Sequence, residues 1–194
     1  MSVLKRYKYR IKRAKQRLLS GNKNIDKGQE KGKKNRYGIT RQDVIFLPIG
    51  DYAELEIYWK LTKKGNGPAV ILHILRKQVI RFDCFGEPNG HGHIYLIAPD
   101  KNCERRLNLP EKTVEAQIDR ALFELSENAN YWIPRHRNPA VRKIRLNSQK
   151  LSDAIAQARS TMLDYHQRSL QALASQISVV SASAVREHSS KNSV

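Results

Sequence analysis

The chain has 194 residues, two cysteines and a formal charge of +18, from 36 Lys/Arg against 18 Asp/Glu. That length suits one ordinary domain with appendages, with no apolar run near the ~18 residues of a membrane span and no secretory-type N-terminal segment. Cys84 and Cys103 form no C-x-x-C pattern, which argues against a disulfide scaffold or structural zinc site and suits a reduced, cytoplasmic protein.

Charge this far from zero implies a polyanionic partner, nucleic acid before an anionic membrane. It is concentrated at the start: residues 1–36 carry fourteen Lys/Arg against Asp26 and Glu30, whereas residues 37–194 carry 22 against 16. Val3, Tyr7, Ile11, Ala14 and Leu18 recur at helical spacing, and Gly21 stands where a helix would end. From Gly21 to Gly38 that period gives way to Gly, Asn and Lys, the composition of a flexible linker. Residues 1–40 therefore read as a basic helical arm and linker. Its expected phosphate contacts are Lys5, Arg6, Lys8, Arg10, Lys12, Arg13, Lys15, Arg17, Lys33, Lys34 and Arg36. A membrane-surface helix is the rival, against which stands an apolar stripe that is thin and lacks Trp and Phe. A solvated charged tail is the plain alternative.

From Asp43 the composition becomes globular, and residues 41–177 are expected to form an α+β domain. Val44–Leu47 ahead of Pro48 fits an edge strand or a packed loop. Leu55, Ile57 and Trp59 alternate with Glu54, Glu56 and Tyr58, which predicts a strand to about Thr62. Lys63–Pro68 is a turn signal. Ala69–Leu75, apolar at nearly every position, predicts a strand buried on both faces. A tight turn at Arg76–Lys77 leads into a strand from Gln78 and sets His73 opposite Ile80, as a core histidine.

Arg81–Leu96 reads RFDCFGEPNGHGHIYL. Two strand-like runs flank Gly86–Gly90, five turn residues, which is a hairpin signal. With Phe85 opposite His91, Asp83 falls opposite His93 and Arg81 opposite Tyr95. Period-2 alternation then places all six on one face and leaves Ile80, Phe82, Cys84, Gly92, Ile94 and Leu96 on the other. After a loop to Pro110, Thr113 caps a helix with Val114, Ile118, Ala121, Leu122, Leu125 and Ala129 on one face. Residues 131–145, YWIPRHRNPAVRKIR, put Tyr131 and Trp132 beside Arg135, Arg137, Arg142 and Lys143. Aromatic rings among arginines suit stacking on unpaired bases; equally, Trp132 and Ile133 could anchor the helix end in the core. A long helix with Leu151, Ile155, Ala158, Met162 and Tyr165 on one side follows, and residues 178–194 read as a disordered tail.

On the hairpin, Asp83 can orient an imidazole, His91 or His93 can act as general base or acid, Arg81 can hold a phosphate, and Tyr95 can hydrogen-bond or stack. Such a set suits cleavage of a phosphodiester by a ribose 2′-hydroxyl without metal or cofactor. A His-x-His metal site with Asp83 as third ligand is the second chemical option, and a half-exposed set of cross-strand pairs is the structural one.

The R-F-D strand, polar turn and H-G-H resemble the R-[FY]-D…H-x-H hairpin of TumE-like toxin proteins of toxin–antitoxin systems. The resemblance covers Arg81 to Tyr95 and is carried by Arg81, Asp83, His91 and His93. It implies action on RNA and an antitoxin as partner.

The expected fold is thus a four-stranded antiparallel meander packed against two C-terminal helices, with a basic N-terminal helical arm. The expected function is nucleic-acid binding, RNA ahead of DNA. The alternatives are a small ribonuclease-like toxin acting through Asp83, His91 and His93, and a structural subunit of a nucleoprotein assembly. Deleting residues 1–36 should weaken binding to every oligonucleotide tested. It should also flatten the plot of log affinity against log salt, by about 0.7–0.9 for each phosphate that the arm neutralises. Unchanged affinity and slope in a titration of the truncated chain would reduce the arm to a solvated tail.

Overall fold

The computed structural model of the chain describes residues 39–63, 65–96 and 104–191, with side chains to residue 177. Among the described residues six strands form one antiparallel sheet in chain order: β1 (Thr40–Pro48), β2 (Ala53–Thr62), β3 (Gly65–Ile74), β4 (Lys77–Asp83), β5 (His91–Tyr95) and β6 (Glu104–Asn108). They are followed by α1 (Val114–Glu127), α2 (Ala129–Trp132), a 3-10 turn (Ile133–Arg135), α3 (Pro139–Arg142) and α4 (Ser148–Lys191). The fold is α+β, and the expected four-strand meander corresponds to β2–β5. The sheet is larger by one strand at each edge, so the strand count is corrected from four to six. An edge strand pairs on one side only and tolerates charge. This is why β6, Glu-Arg-Arg-Leu-Asn, shows no alternation yet pairs with β5 from Tyr95–Glu104 to His91–Asn108. The expected basic arm falls on residues outside those described. Helix α4 continues to Lys191, into the segment expected as a tail, where no Gly or Pro interrupts it. Among the described residues no helix is long and apolar enough to cross a membrane.

One sheet face carries the core. Leu55 and Ile57 of β2, Val70 and Leu72 of β3, Phe82 of β4 and Ile94 of β5 are buried there. Against them pack Ile118, Ala121, Leu122 and Leu125 of α1, and Leu151, Ala154, Ala158, Met162 and Tyr165 of α4. Spacings of three and four place each set on one helix face, and each large side chain so buried contributes roughly 1.5–3 kcal/mol. The Thr113 hydroxyl caps α1 by accepting from the Ala116 N–H at 3.2 Å.

Two local irregularities decide what stands on the opposite, outer face. The β3–β4 turn is Leu75–Arg76, both left-handed (φ 50° and 61°), which matches the twist a two-residue hairpin needs. Beyond it Leu72 pairs with Ile80 but His73 with Gln78, so Val79 is an extra, bulged residue. His73, alternating with core-facing Leu72 and Ile74, stands on the outer face opposite Gln78 and not opposite Ile80, which corrects the core assignment, and its Nε2 lies 2.7 Å from Glu56 Oε2.

The second irregularity is the β4–β5 loop, which runs from Cys84 to Gly90 because β4–β5 pairing ends at Asp83–His91, while the Cys84 N–H donates to the Pro68 carbonyl on β3 at 2.9 Å. Buried Gln117 of α1 pins this loop. Its Oε1 accepts from the Gly86 N–H at 3.0 Å, and its Nε2 donates to the Glu111 carbonyl at 2.8 Å. Gly90 has to lack a side chain, since a Cβ there would lie 2.0 Å from Gln117 Oε1. With seven loop residues instead of five, Asp83 faces His91 and Arg81 faces His93. The expected pairs Phe85–His91, Asp83–His93 and Arg81–Tyr95 are therefore displaced by two residues. An even displacement keeps every side chain on its face, so Arg81, Asp83, His91 and His93 share the outer one.

At Gly92 a Cβ would stand 2.6 Å from the Phe82 ring, beneath the hairpin. Gly92→Ala should cost about 1–3 kcal/mol by overpacking, seen as a lower denaturant midpoint at unchanged m-value. An unshifted midpoint would show that the ring moves aside freely.

Candidate functional site

Strand alternation sets Glu56, Tyr58 and Lys60 of β2, Ala69 and Ile71 of β3, Arg81 and Asp83 of β4, and His91 and His93 of β5 on the outer face. The centre is Asp83, fully buried. Four nitrogens surround its Oδ2: Lys60 Nζ at 2.6 Å, Arg81 Nε at 3.3 Å, His91 Nε2 at 3.4 Å and His93 Nε2 at 3.5 Å. Lys60 reaches it from two strands away. Gly67 and Ala69, facing Lys60 and Asp83 on the intervening β3, leave room for the lysine to cross. The Arg81, His91 and His93 side chains remain 12–17% exposed, so they border the surface, while Arg81 Nε and His93 Nε2, the atoms turned to Asp83, lie beneath it.

Burial alone would raise the Asp83 pKa, but contact with His93 and the charges of Arg81 and Lys60 outweigh it and hold the carboxyl far below its usual range. Burial lowers the Lys60 pKa against the pull of Asp83. It also lowers that of His91, despite the hydrogen bond to Asn89 and the nearby carboxylate. Tyr58, behind this group, has its hydroxyl pushed up by burial and by Asp83.

The imidazoles are held by their other nitrogens. His91 Nδ1 lies 2.7 Å from the Asn89 carbonyl oxygen. A carbonyl can only accept, so Nδ1 is the donor. His93 Nδ1 likewise donates to the Glu104 carboxylate on β6. A neutral ring donating through Nδ1 carries its lone pair on Nε2, and both Nε2 atoms are turned to Asp83. Among the described residues Asp83 Oδ1, His93 Nε2, Arg81 Nε and Tyr58 Oη are buried without a hydrogen-bond partner. Buried polar atoms are otherwise nearly always paired, so four unmatched atoms in one place mark a site that is not self-sufficient. Beside it, Glu56 is satisfied by Arg41 at 2.5 Å and His73 at 2.7 Å, an ion-pair group with no atom left over.

Of the expected site residues, Arg81, Asp83, His91 and His93 come together. Tyr95 does not face Arg81; it pairs with Glu104 in the sheet, with the Arg137 guanidinium 5.9 Å from its ring. In the second basic stretch Tyr131 is half exposed, with Arg135 3.7 Å over its ring, whereas Trp132 packs against the core. The Arg142 guanidinium donates to the His136 carbonyl, and Lys143 is exposed at the end of α3. His136 is structural: its Nε2 donates to the Gln78 carbonyl and its Nδ1 accepts from the Asn138 N–H, both at 3.1 Å. The expected arm contacts, Lys5 to Arg36, lie outside the described residues. Sequence reasoning missed Lys60 and Glu104. The signal for Lys60 was its place on the polar side of β2 opposite Gly67; Glu104 sits on a strand with no pattern to read.

Comparison of the chain with protein-family models, with curated proteins and with solved structures finds no match.

Removing one member of the buried pair leaves the other uncompensated. Asp83→Asn should cost about 3–5 kcal/mol at neutral pH, and adding Lys60→Met should recover much of it. The wild type should also lose stability on acidification. Asp83, Glu56 and His91 all titrate lower in the folded chain than at their ordinary values of 3.8, 4.5 and 6.5. The stability each contributes is complete above that value and is lost as pH falls through the folded one. Unfolding midpoints should thus start to drop below about pH 6.5 and fall steeply below about pH 4.5; a flat profile to pH 3 would contradict the assigned ion pairs.

Proposed function

We propose that this protein binds nucleic acid, RNA ahead of DNA, and cleaves it at the Asp83–His91–His93 centre. One observation carries the reading: Lys60, Arg81, His91 and His93 converge on a single oxygen of a buried carboxylate. Two cations, Lys60 and Arg81, meet the carboxylate of Asp83, and a second carboxylate, Glu104, accepts from His93. Around Asp83 itself the cations outnumber the carboxylate, with Glu104 set behind the neutral His93 ring, and Arg81 Nε, 3.3 Å from Asp83 Oδ2 without a hydrogen bond, suits a phosphate oxygen. A cluster built only for stability would leave few buried polar atoms unpaired, and four of the six unpaired among the described residues gather here.

Further support comes from the surroundings. The net charge of +18 draws a polyanion to the surface. Tyr131 with Arg135 offers an exposed ring and a cation of the kind that stacks on unpaired bases. The resemblance of the hairpin to TumE-like toxins adds RNA as substrate and an antitoxin as partner to this reading.

The test is incubation of the full chain with mixed-sequence RNA and single-stranded DNA, with binding read by anisotropy and cleavage by gel. The wild type should bind RNA and shorten it. His91→Ala and His93→Ala should each lose at least ~10²-fold in cleavage rate, the scale for a group that handles a proton or nucleophile in the transition state, with binding nearly intact. A wild type that binds RNA but never cleaves it would remove the catalytic part; one that does not bind RNA would end the whole reading.

A further inference from the structure

We propose that Asp83, His91 and His93 bind one divalent transition-metal ion of the zinc class through Asp83 Oδ2 and the two imidazole Nε2 atoms. The ligand atoms of the three residues lie within 4.8 Å of one another. The role of the ion in cleavage rests on the function proposed above, but its binding does not.

Four observations support the site. The first is direction: each imidazole spends its Nδ1 proton on an outward partner, the Asn89 carbonyl or the Glu104 carboxylate, and turns Nε2 inward. Metal-bound histidines are held by this arrangement, in which the outer acceptor fixes tautomer and ring orientation. The second is distance. His91 Nε2 and His93 Nε2 stand 3.4 and 3.5 Å from Asp83 Oδ2. A charge-assisted N–H···O hydrogen bond would be about 2.7–2.9 Å. Ligand atoms about 2.0–2.2 Å from a tetrahedral ion are themselves separated by about 3.3–3.6 Å.

The third observation is the shortage of acceptors. Lys60 Nζ already holds Oδ2 at 2.6 Å, so the same oxygen cannot also take good hydrogen bonds from two imidazolium rings. His93 Nε2 and Asp83 Oδ1 remain without partners among the described residues. The fourth is support of the carboxylate, since a ligating carboxylate is itself hydrogen-bonded and Lys60 does this here. Two nitrogens and one oxygen favour zinc, iron or manganese over magnesium or calcium, which take oxygen ligands. Three protein ligands leave a coordination position for water or a phosphate oxygen, beside Lys60 and Arg81, which would also face that oxygen.

The experiment uses the full, untagged chain, stripped with chelator and dialysed, then titrated with Zn²⁺ alone and with Co²⁺ alone. Equilibrium dialysis should give one ion per chain, Co²⁺ should develop the visible absorption of a low-symmetry nitrogen–oxygen site, and Zn²⁺ should raise the thermal midpoint. Glu104→Gln should weaken binding ~10–100-fold. His91→Gln and His93→Gln, verified as folded by circular dichroism, should weaken it further. Absence of a stoichiometric site in the wild type, or equal affinity in the folded histidine variants, overturns the proposal. One bound ion without RNA cleavage keeps the metal site and ends the nuclease reading. Undiminished cleavage by stripped protein that binds no ion overturns the metal site and leaves acid–base chemistry by the two histidines.

Discussion

The buried contact between Lys60 and Asp83 is the constraint on which the outer face depends. An ammonium and a carboxylate lie 2.6 Å apart, the lysine side chain 6% exposed and the aspartate not at all. Burying the two charges costs several kcal/mol each unless geometry and further hydrogen bonds offset it. Such a pair therefore adds little net stability, but it penalises the alternatives. A one-residue slip of β2 or β4 against β3 would turn one of the two charges into the apolar face. The pair also dictates the strand it crosses: the side chains at positions 67 and 69 of β3 must be small. Gly67 is further confined because a Cβ there would lie 2.2 Å from the Cys84 carbonyl oxygen.

With that register set, the helical layer places the chemistry without supplying a residue to it. Gln117 belongs to the same α1 turns that bury Ile118 and Ala121, yet its amide bonds the Gly86 N–H of the β4–β5 loop. Packing of α1 on the sheet thus fixes where the loop ends and where β5 begins. From that starting point His91 faces Asp83, and His93 faces Arg81. The two faces of one hairpin carry separate tasks. Phe82, Gly92 and Ile94 face the core, and the residues alternating with them assemble the polar centre.

The parts of this arrangement legible in the sequence are those that depend on period alone. Arg81, Asp83, His91 and His93 fall on one face whether the loop has five residues or seven, since the difference is even. The stripes of α1 and α4 are similarly robust, because spacing in a helix does not depend on a partner. Features resting on single-residue events were not legible. Nothing in Leu75-Arg76 announces two left-handed residues, so the Val79 bulge and the pairing of His73 with Gln78 were invisible. Cys84 reads as a residue of the paired hairpin strand, whereas the ladder to β5 ends at Asp83–His91 and the Cys84 N–H bonds only across to Pro68 on β3. Lys60 finds its partner two strands away, a distance no local pattern reports. Trp132 beside Tyr131 looks like a second stacking ring, but only the surface decides which of two adjacent aromatics turns inward.

The outer face also shows why the two histidines differ in surroundings despite equal spacing from Asp83. His91 is tied to a backbone carbonyl in its own loop, a neutral partner that moves with the hairpin. His93 is tied to a carboxylate on a different strand, β6, which is also the sheet edge and is 44% exposed at Glu104. Orientation of His91 thus depends on the β4–β5 loop alone, whereas that of His93 depends on β6 staying paired with β5. Fraying of the edge strand would release one ring and leave the other aimed at Asp83, an asymmetry that two equivalent histidines would lack.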